Sequence, residues 1–178
     1  MLQVRTTSLA ATHAVAAAVA GVARAGDLIV LAGEMGAGKT AFAQGFGRAL
    51  GVTEPITSPT FTLVHSYDTG RIEFHHADLY RLDRLLEVAD LALGELLESN
   101  GIVLVEWGDV LGSTLGDHLQ IRLEVELDGD GDDHEDDGVV DGDGDSFNCR
   151  TIGLRPFGSV WAPRWAALET AVRKASSC

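Results

Sequence analysis

The run Gly33-Glu34-Met35-Gly36-Ala37-Gly38-Lys39-Thr40 meets the pattern G-x-x-x-x-G-K-[ST], in which each residue type has a task in holding a polyphosphate. Glycines let the backbone curl until successive N–H groups point inward at phosphate oxygens. A helix that starts directly after such a loop adds the positive end of its dipole. Lys39 then reaches the β- and γ-phosphates and the Thr40 hydroxyl ligates magnesium, so Gly33 to Ala41 is the expected nucleotide-binding run. Residue usage agrees: the chain has eleven Arg but only two Lys, and one of the two is Lys39. A slim ammonium fits where a planar guanidinium does not.

A metal held there needs acidic partners. Glu106 follows the apolar run Ile102-Val103-Leu104-Val105, the place where such proteins usually carry an acid that serves the metal directly or through water. Asp78 follows a second strand-like run, Arg71 to His76. Either carboxylate alone reads equally well as a surface turn residue, but both beside one phosphate loop favour a metal site. The expected metal set is therefore Thr40, Asp78 and Glu106, and Lys39 joins them in the expected catalytic set, with ATP and Mg2+ as cofactors. His75-His76-x-Asp78 invites a zinc reading. Neighbouring strand residues point to opposite faces, however, so the two imidazoles would not converge. A guanine-specific protein would be expected to carry Asn-Lys-x-Asp; with Lys only at 39 and 174 that motif is absent, which favours adenine.

These residues need a scaffold. Leu28 to Ala32 is a continuous apolar run, the pattern of a strand buried on both faces, and it leads straight into the glycine loop. Phe42, Phe46 and Leu50 recur at helical spacing before Gly51. Upstream, Met1 to Arg5 reads as a short strand, Ser8 as an N-cap, and an Ala-rich helix follows that ends by Gly26-Asp27. Downstream, Phe61 to Tyr67 and Arg71 to His76 read as strands joined at Asp68-Thr69-Gly70. A leucine-rich helix spans about Asp83 to Glu98, and Ile102 to Val105 is another buried strand. His118 to Leu127 alternates apolar and polar residues, Phe147 to Leu154 returns, and a helix spans about Pro163 to Lys174. The expected fold is an α/β three-layer domain of the phosphate-loop type. Its sheet is mixed and mainly parallel, with a late antiparallel hairpin, and the whole of 1–178 forms one domain.

Composition bounds the rest. The net charge of −14 is concentrated: ten of 27 acids lie between Asp128 and Asp145, a segment without Lys or Arg, so the remainder carries 13 bases and 17 acids, or −4. Such a body has no basic face to hold a nucleic acid unaided. Asp128-x-Asp130-x-Asp132 opens like a calcium loop, but Asp133 stands where glycine is required and Val139 where the bidentate Glu belongs. A disordered, solvated insertion at about 128–145 is the expectation. No apolar run is long enough to span a membrane. Leu9 to Ala25, preceded by Arg5, is read as a helix rather than a secretory leader, because Thr12 and His13 interrupt it and its valines fall at helical spacing. Cys149 and Cys178 make no disulfide framework and fit a reducing cytoplasm.

With these pieces placed, the chain resembles the TsaE family. The matching runs are Gly33 to Thr40, Thr57-Ser58-Pro59-Thr60-Phe61, His76-Ala77-Asp78-Leu79-Tyr80-Arg81 and Val105-Glu106-Trp107. The phosphate loop names only a superfamily; the other runs make the match specific. The resemblance implies a partner-dependent ATPase that works with TsaB and TsaD in placing threonylcarbamoyl on an adenosine of tRNA, with tRNA reached only through that complex. It implies that Thr40, Asp78 and Glu106 serve magnesium and that Thr57 to Phe61 is a switch-like loop. Trp107 reads either as a neighbour of the nucleotide or as a core aromatic, and Arg150 is a further candidate for nucleotide contact. Two other readings compete: a small-molecule kinase, whose Arg-rich lid would have to come from Arg81 and Arg84, and a nucleotide-dependent switch without useful turnover.

Overall fold

The computed structural model describes residues 1–59, 64–80, 94–97, 101–109, 115–126 and 149–176. The acidic run at 128–145 with its calcium-like opening, Thr60 and Phe61, Arg81 and Arg84, and most of the leucine-rich helix lie outside the described residues.

Seven strands form one sheet: β1 (Leu2–Thr6), β2 (Leu28–Ala32), β3 (Val64–Asp68), β4 (Glu73–Asp78), β5 (Ile102–Glu106), β6 (His118–Val125) and β7 (Arg150–Phe157). Their spatial order is β1-β7-β6-β2-β5-β4-β3. The central four, β6-β2-β5-β4, are mutually parallel. β3 pairs antiparallel at one side, and β7 then β1 pair antiparallel at the other. The expected mixed sheet with a late β6–β7 hairpin is therefore the observed one. β7 runs on past the expected end at Leu154 through Pro156 to Phe157, while the expected start at Phe147 lies outside the described residues.

Helices α1 (Leu9–Ala20), α2 (Lys39–Leu50) and α3 (Trp165–Ser176) pack on one face. There Val15, Val19, Phe42, Phe46, Leu168 and Val172 bury against Ile29, Leu31, Ile102 and Leu104. The other face buries Val30, Val103, Val105 and Ala77, and Leu96 and Leu97 of a helical turn at 94–97 pack there. β2 contributes to both clusters and is buried at all five positions, as a strand covered on both sides must be.

Local chemistry sets the ends. Ser8 caps α1 by accepting the Ala11 N–H at 3.1 Å. That helix stops at Gly21 rather than at the expected Gly26-Asp27: the Gly21 N–H donates to the Ala17 carbonyl at 3.0 Å, and the Val22 and Ala23 N–H groups both turn to the Val19 carbonyl at 3.0 Å. The connection into β2 is tied down by Asp27, which is buried and takes two bonds from Arg164, at 2.6 and 2.7 Å, and one from the Arg24 N–H at 2.7 Å. α2 lies close on α1 because Gly45 has no side chain; a Cβ there would sit 2.7 Å from the His13 Cα.

Candidate nucleotide and metal site

β2 ends at Ala32 and α2 begins at Lys39, so residues 33–38 form the loop that joins a buried strand to a helix N-terminus. Gly33 leaves the strand at φ 136°, outside the range of ordinary side chains. A Cβ on it would press into the carbonyl oxygen of Leu123 on β6. Gly38 precedes the helix at φ 102°, and its carbonyl accepts the Phe42 N–H at 2.9 Å to start the α2 ladder. On the far side of the loop, the Arg150 Nε donates to the Ala37 carbonyl at 3.1 Å. Arg150 therefore holds the loop backbone from β7, and Gly38 lies so close that a Cβ would meet Arg150 Nε at 3.1 Å.

The period of the strands brings the acids to the loop. On β4, Phe74, His76 and Asp78 share a face; on β5, Ile102, Leu104 and Glu106 do. The deeper members, Phe74, Ile102 and Leu104, pack with Phe42 and Phe46 of α2. The last member of each strand emerges where α2 begins. Asp78 and Glu106 are partners in the β4–β5 register, and both are buried, 5% and 3% exposed. Thr40 Oγ1 donates to the Glu106 carboxylate, 3.0 Å from Oε1 and 3.3 Å from Oε2. Asp78 accepts the Ser58 hydroxyl at 2.6 Å and the Tyr80 N–H at 2.9 Å, so it joins β4 to the Thr57-Ser58 stretch.

Lys39 is 5% exposed. Its Nζ donates to the Gly33 and Glu34 carbonyls, both at 2.8 Å, and lies 3.7 Å from the centre of the Trp107 ring. Burial lowers the pKa of its ammonium, against the opposing pull of Glu106, Asp78 and Asp109. Trp107 has φ 63°, and it alone among described non-glycine residues has a positive φ. Its N–H donates to Leu31 O at 2.9 Å, which fixes the turn, and its ring packs at 5.0 Å from that of Tyr80. Trp107 thus lies against the loop through Lys39 and also packs on the second core cluster.

These groups surround a cavity of about 410 Å³ lined by Met35, Gly36, Gly38, Lys39, Thr40, Ala41, Ser58, Tyr80, Glu106 and Trp107. A groove of about 470 Å³ on the β6 side is lined by Gly33, Glu34, Met35, Ala37, Arg122, Leu123, Glu124 and Val125. The loop runs between the two. Every expected loop residue from Gly33 to Ala41 lines one or the other: Gly36, Gly38, Lys39, Thr40 and Ala41 face the first, and Gly33, Glu34 and Ala37 the second, with Met35 shared.

The oxygen donors fit a magnesium ion. A hydroxyl and a carboxylate already meet at Thr40 and Glu106, and Asp78 stands beside them in register. Magnesium takes one or two carboxylates and completes its shell with phosphate oxygens and water. His75 and His76 diverge, as strand geometry requires: His75 Nδ1 meets Ser66 Oγ at 2.8 Å, whereas His76 Nε2 meets Glu106 Oε1 at 3.0 Å. Sequence reasoning considers His76 as a zinc ligand and as part of the His76 to Arg81 run, and misses this contact. The signal was present, because His76 precedes Asp78 by two and must share its face. The Tyr80–Trp107 packing and the β6-side groove were also missed; both depend on turns and pairings that no local pattern encodes.

A glycine loop between a buried parallel strand and a helix that opens with Lys-Thr, facing acids from two neighbouring strands, defines an α/β phosphate-loop protein of the nucleotide-binding kind. The model of the family described as threonylcarbamoyl adenosine biosynthesis protein TsaE matches residues 6–135, and the chain belongs to that family. It is 40% identical over 114 residues to the tRNA threonylcarbamoyladenosine biosynthesis protein TsaE of Bacillus subtilis, covering 64% of this chain and 71% of that protein. It is 49% identical over 89 residues to the Nostoc protein of the same name, covering 48% of this chain and 54% of that one. Against the Mycobacterium tuberculosis protein, the match is 44% over 108 residues, 55% of this chain and 64% of the relative. The fold is similar to that of the crystal structure of Bacillus subtilis YdiB, with a TM-score of 0.68, 28% identity, and coverage of 97% of this chain and 94% of the other. Among the described residues no helix is long and apolar enough to cross a membrane.

Proposed function

We propose that this chain is a magnesium-dependent ATPase that supports a TsaB–TsaD pair in forming threonylcarbamoyladenosine in tRNA. The observation that carries the reading is the convergence of Lys39, Thr40 and Glu106 on one cavity, with Asp78 paired to Glu106 in register. The residues lining that cavity would hold the triphosphate. Magnesium, held by Thr40, Glu106 and Asp78, neutralises charge on the phosphates when bound. Lys39 contributes its charge at the β- and γ-phosphates, and the loop N–H groups orient the chain of oxygens. Asp78, through Ser58, links the state of the site to the Thr57-Ser58 stretch. tRNA is reached only through the complex, since the body outside the acidic run is near-balanced in charge. A need for ATP as fuel supports a cytoplasmic setting for this work.

The test is ATP hydrolysis by the full chain, with and without a purified TsaB–TsaD pair. Slow turnover alone and a several-fold rise with the pair are expected. Lys39→Ala should lower the stimulated rate by about 10² to 10³ while the circular dichroism spectrum stays native. Phosphoryl transfer to a nucleoside or other small acceptor, with no response to the pair, would replace this reading with a kinase.

A further inference from the structure

We infer that His76 is a positioning residue that sets the orientation of the Glu106 carboxylate, an inference that rests on the magnesium-dependent reading of the site above. His76 is fully buried on β4, opposite Leu104 in register, with Glu106 two residues further along the neighbouring strand. Its Nε2 lies 3.0 Å from Glu106 Oε1. Its ring lies nearly parallel to that of Phe74, at 10° and 6.3 Å, so packing fixes the plane from which the nitrogen points.

Two polar groups are thus buried together at a position where a Leu or Phe would complete the apolar face without cost. A buried histidine on a core strand is ordinarily a packing residue with its nitrogens satisfied by nearby backbone. Here one nitrogen meets the carboxylate, and the other, Nδ1, has no partner among the described residues. The tautomer with its proton on Nε2 fits: it donates to Glu106 and leaves only a bare lone pair at Nδ1, instead of a buried N–H without an acceptor. With Oε1 engaged by that N–H and, at 3.0 Å, by Thr40, Oε2 keeps only the longer 3.3 Å contact from the same hydroxyl and is the oxygen freer to face a metal ion or its water. Without His76 the carboxylate keeps only the Thr40 hydroxyl and is free to turn about its last bond. Groups that hydrogen-bond a metal-binding side chain commonly affect metal affinity by about 10- to 100-fold.

The experiment uses the full chain with Mn2+ as a spectroscopic stand-in for magnesium. Mn2+ binding is followed by electron paramagnetic resonance in the presence of a non-hydrolysable ATP analogue. A fluorescent ATP analogue without divalent ion gives the metal-free nucleotide affinity. His76→Phe should weaken Mn2+ binding by about 10- to 100-fold and leave metal-free nucleotide affinity unchanged. His76→Gln, whose amide N–H reaches as far as Nε2, should restore the affinity; His76→Asn, which is shorter, should not. If His76→Phe fails to fold, the Gln–Asn contrast decides alone. Unchanged Mn2+ affinity in His76→Phe overturns the inference, as do equal losses in Gln and Asn that merely track their melting temperatures. If Glu106→Gln weakens Mn2+ binding and His76→Phe does not, the magnesium reading stands and only the role of His76 falls. A wild-type chain that binds no Mn2+ with the nucleotide overturns both.

Discussion

Replacing Gly33 by Ala should cost far more than replacing Gly26 by Ala, and the structure gives the reason. Both glycines have positive φ, 136° and 81°. A Cβ on Gly26 would meet nothing within 4 Å, so Gly26→Ala carries only the left-handed backbone penalty of about 1–2 kcal/mol. Gly33 lies beyond the left-handed basin, where a side chain costs about 1–3 kcal/mol. Its Cβ would also collide with the Leu123 carbonyl, a backbone atom held in the β6 ladder, and such overpacking costs about a further 1–3 kcal/mol. The total for Gly33→Ala is then about 2–6 kcal/mol. With a urea m-value of about 2 kcal/mol/M, the unfolding midpoint should fall by about 1–3 M for Gly33→Ala and by about 0.5–1 M for Gly26→Ala. The folded fraction of Gly33→Ala should also turn over ATP poorly. Relief of the clash moves the loop off β6, and a displacement of about 1 Å can cost about 10² in rate. Equal midpoints for the two variants, or normal turnover by Gly33→Ala, would refute the claim that loop and β6 are in fixed contact.

Arg164→Met should destabilise the fold by about 3–5 kcal/mol in urea, because it leaves the Asp27 carboxylate buried without its cation; adding Asp27→Leu should recover most of that loss. ATP turnover by the folded fraction should be unaffected, since the pair sits at the opposite end of β2 from the loop. His13 and His75 are both held below the ordinary histidine value of 6.5, burial being the main cause in each, with Arg48 also lowering His13 and Glu73 opposing at His75. The fold therefore binds fewer protons than the unfolded chain, so stability is intact above about pH 6.5 and falls as pH drops through it toward the lowered values. Urea midpoints at about pH 7.5 and pH 5.5 should show this loss, and His13→Asn should flatten it. An equally steep loss in His13→Asn would remove that residue from the account.

Strand and helix periods in the sequence were enough to place the loop between β2 and α2 and to set the acids at strand ends. Leu28 to Ala32 is apolar at every position because helices cover one side and the 94–97 turn lies over the other, a tertiary fact with a local signature. Ser8 and Gly51 announced their caps by residue type alone. Other features had no such signature. The N-terminal helix ends at Gly21, seven residues before β2 begins at Leu28, and the buried Arg164–Asp27 bond fixes that connection from the far end of the chain. The alternation ends β7 at Leu154, because Arg155 and Pro156 break it, whereas pairing with His118 and Leu119 of β6 carries the strand on to Phe157. His76 was read by its neighbour His75 rather than by the face it shares with Asp78, and its contact with Glu106 requires knowing that β4 and β5 are adjacent and parallel.

The polar groups of the site are not left open for a ligand; they are satisfied by one another. Lys39 has two carbonyls and the Trp107 ring, Thr40 has Glu106, and Asp78 has Ser58 and the Tyr80 N–H. A buried ammonium without partners would be costly, so this internal pairing is what lets Lys39 stay buried before any phosphate arrives. An incoming nucleotide must therefore exchange bonds rather than add them. The gain is the difference between a phosphate oxygen and a neutral carbonyl at Lys39, which favours phosphate because both partners are then charged. At Thr40 and Glu106 the hydroxyl–carboxylate bond can remain while the remaining lone pairs gain contacts to a cation, and that gain needs the ion to be present. On the proposed reading, nucleotide and metal are coupled through Thr40, whose single O–H can stay on Glu106 while an oxygen lone pair turns to the ion. Anything that turns Glu106 or moves Ser58 off Asp78 shifts that exchange. On the proposed reading, a protein partner touching the Thr57-Ser58 stretch has a direct route to the rate of turnover, without contributing a residue to the phosphates.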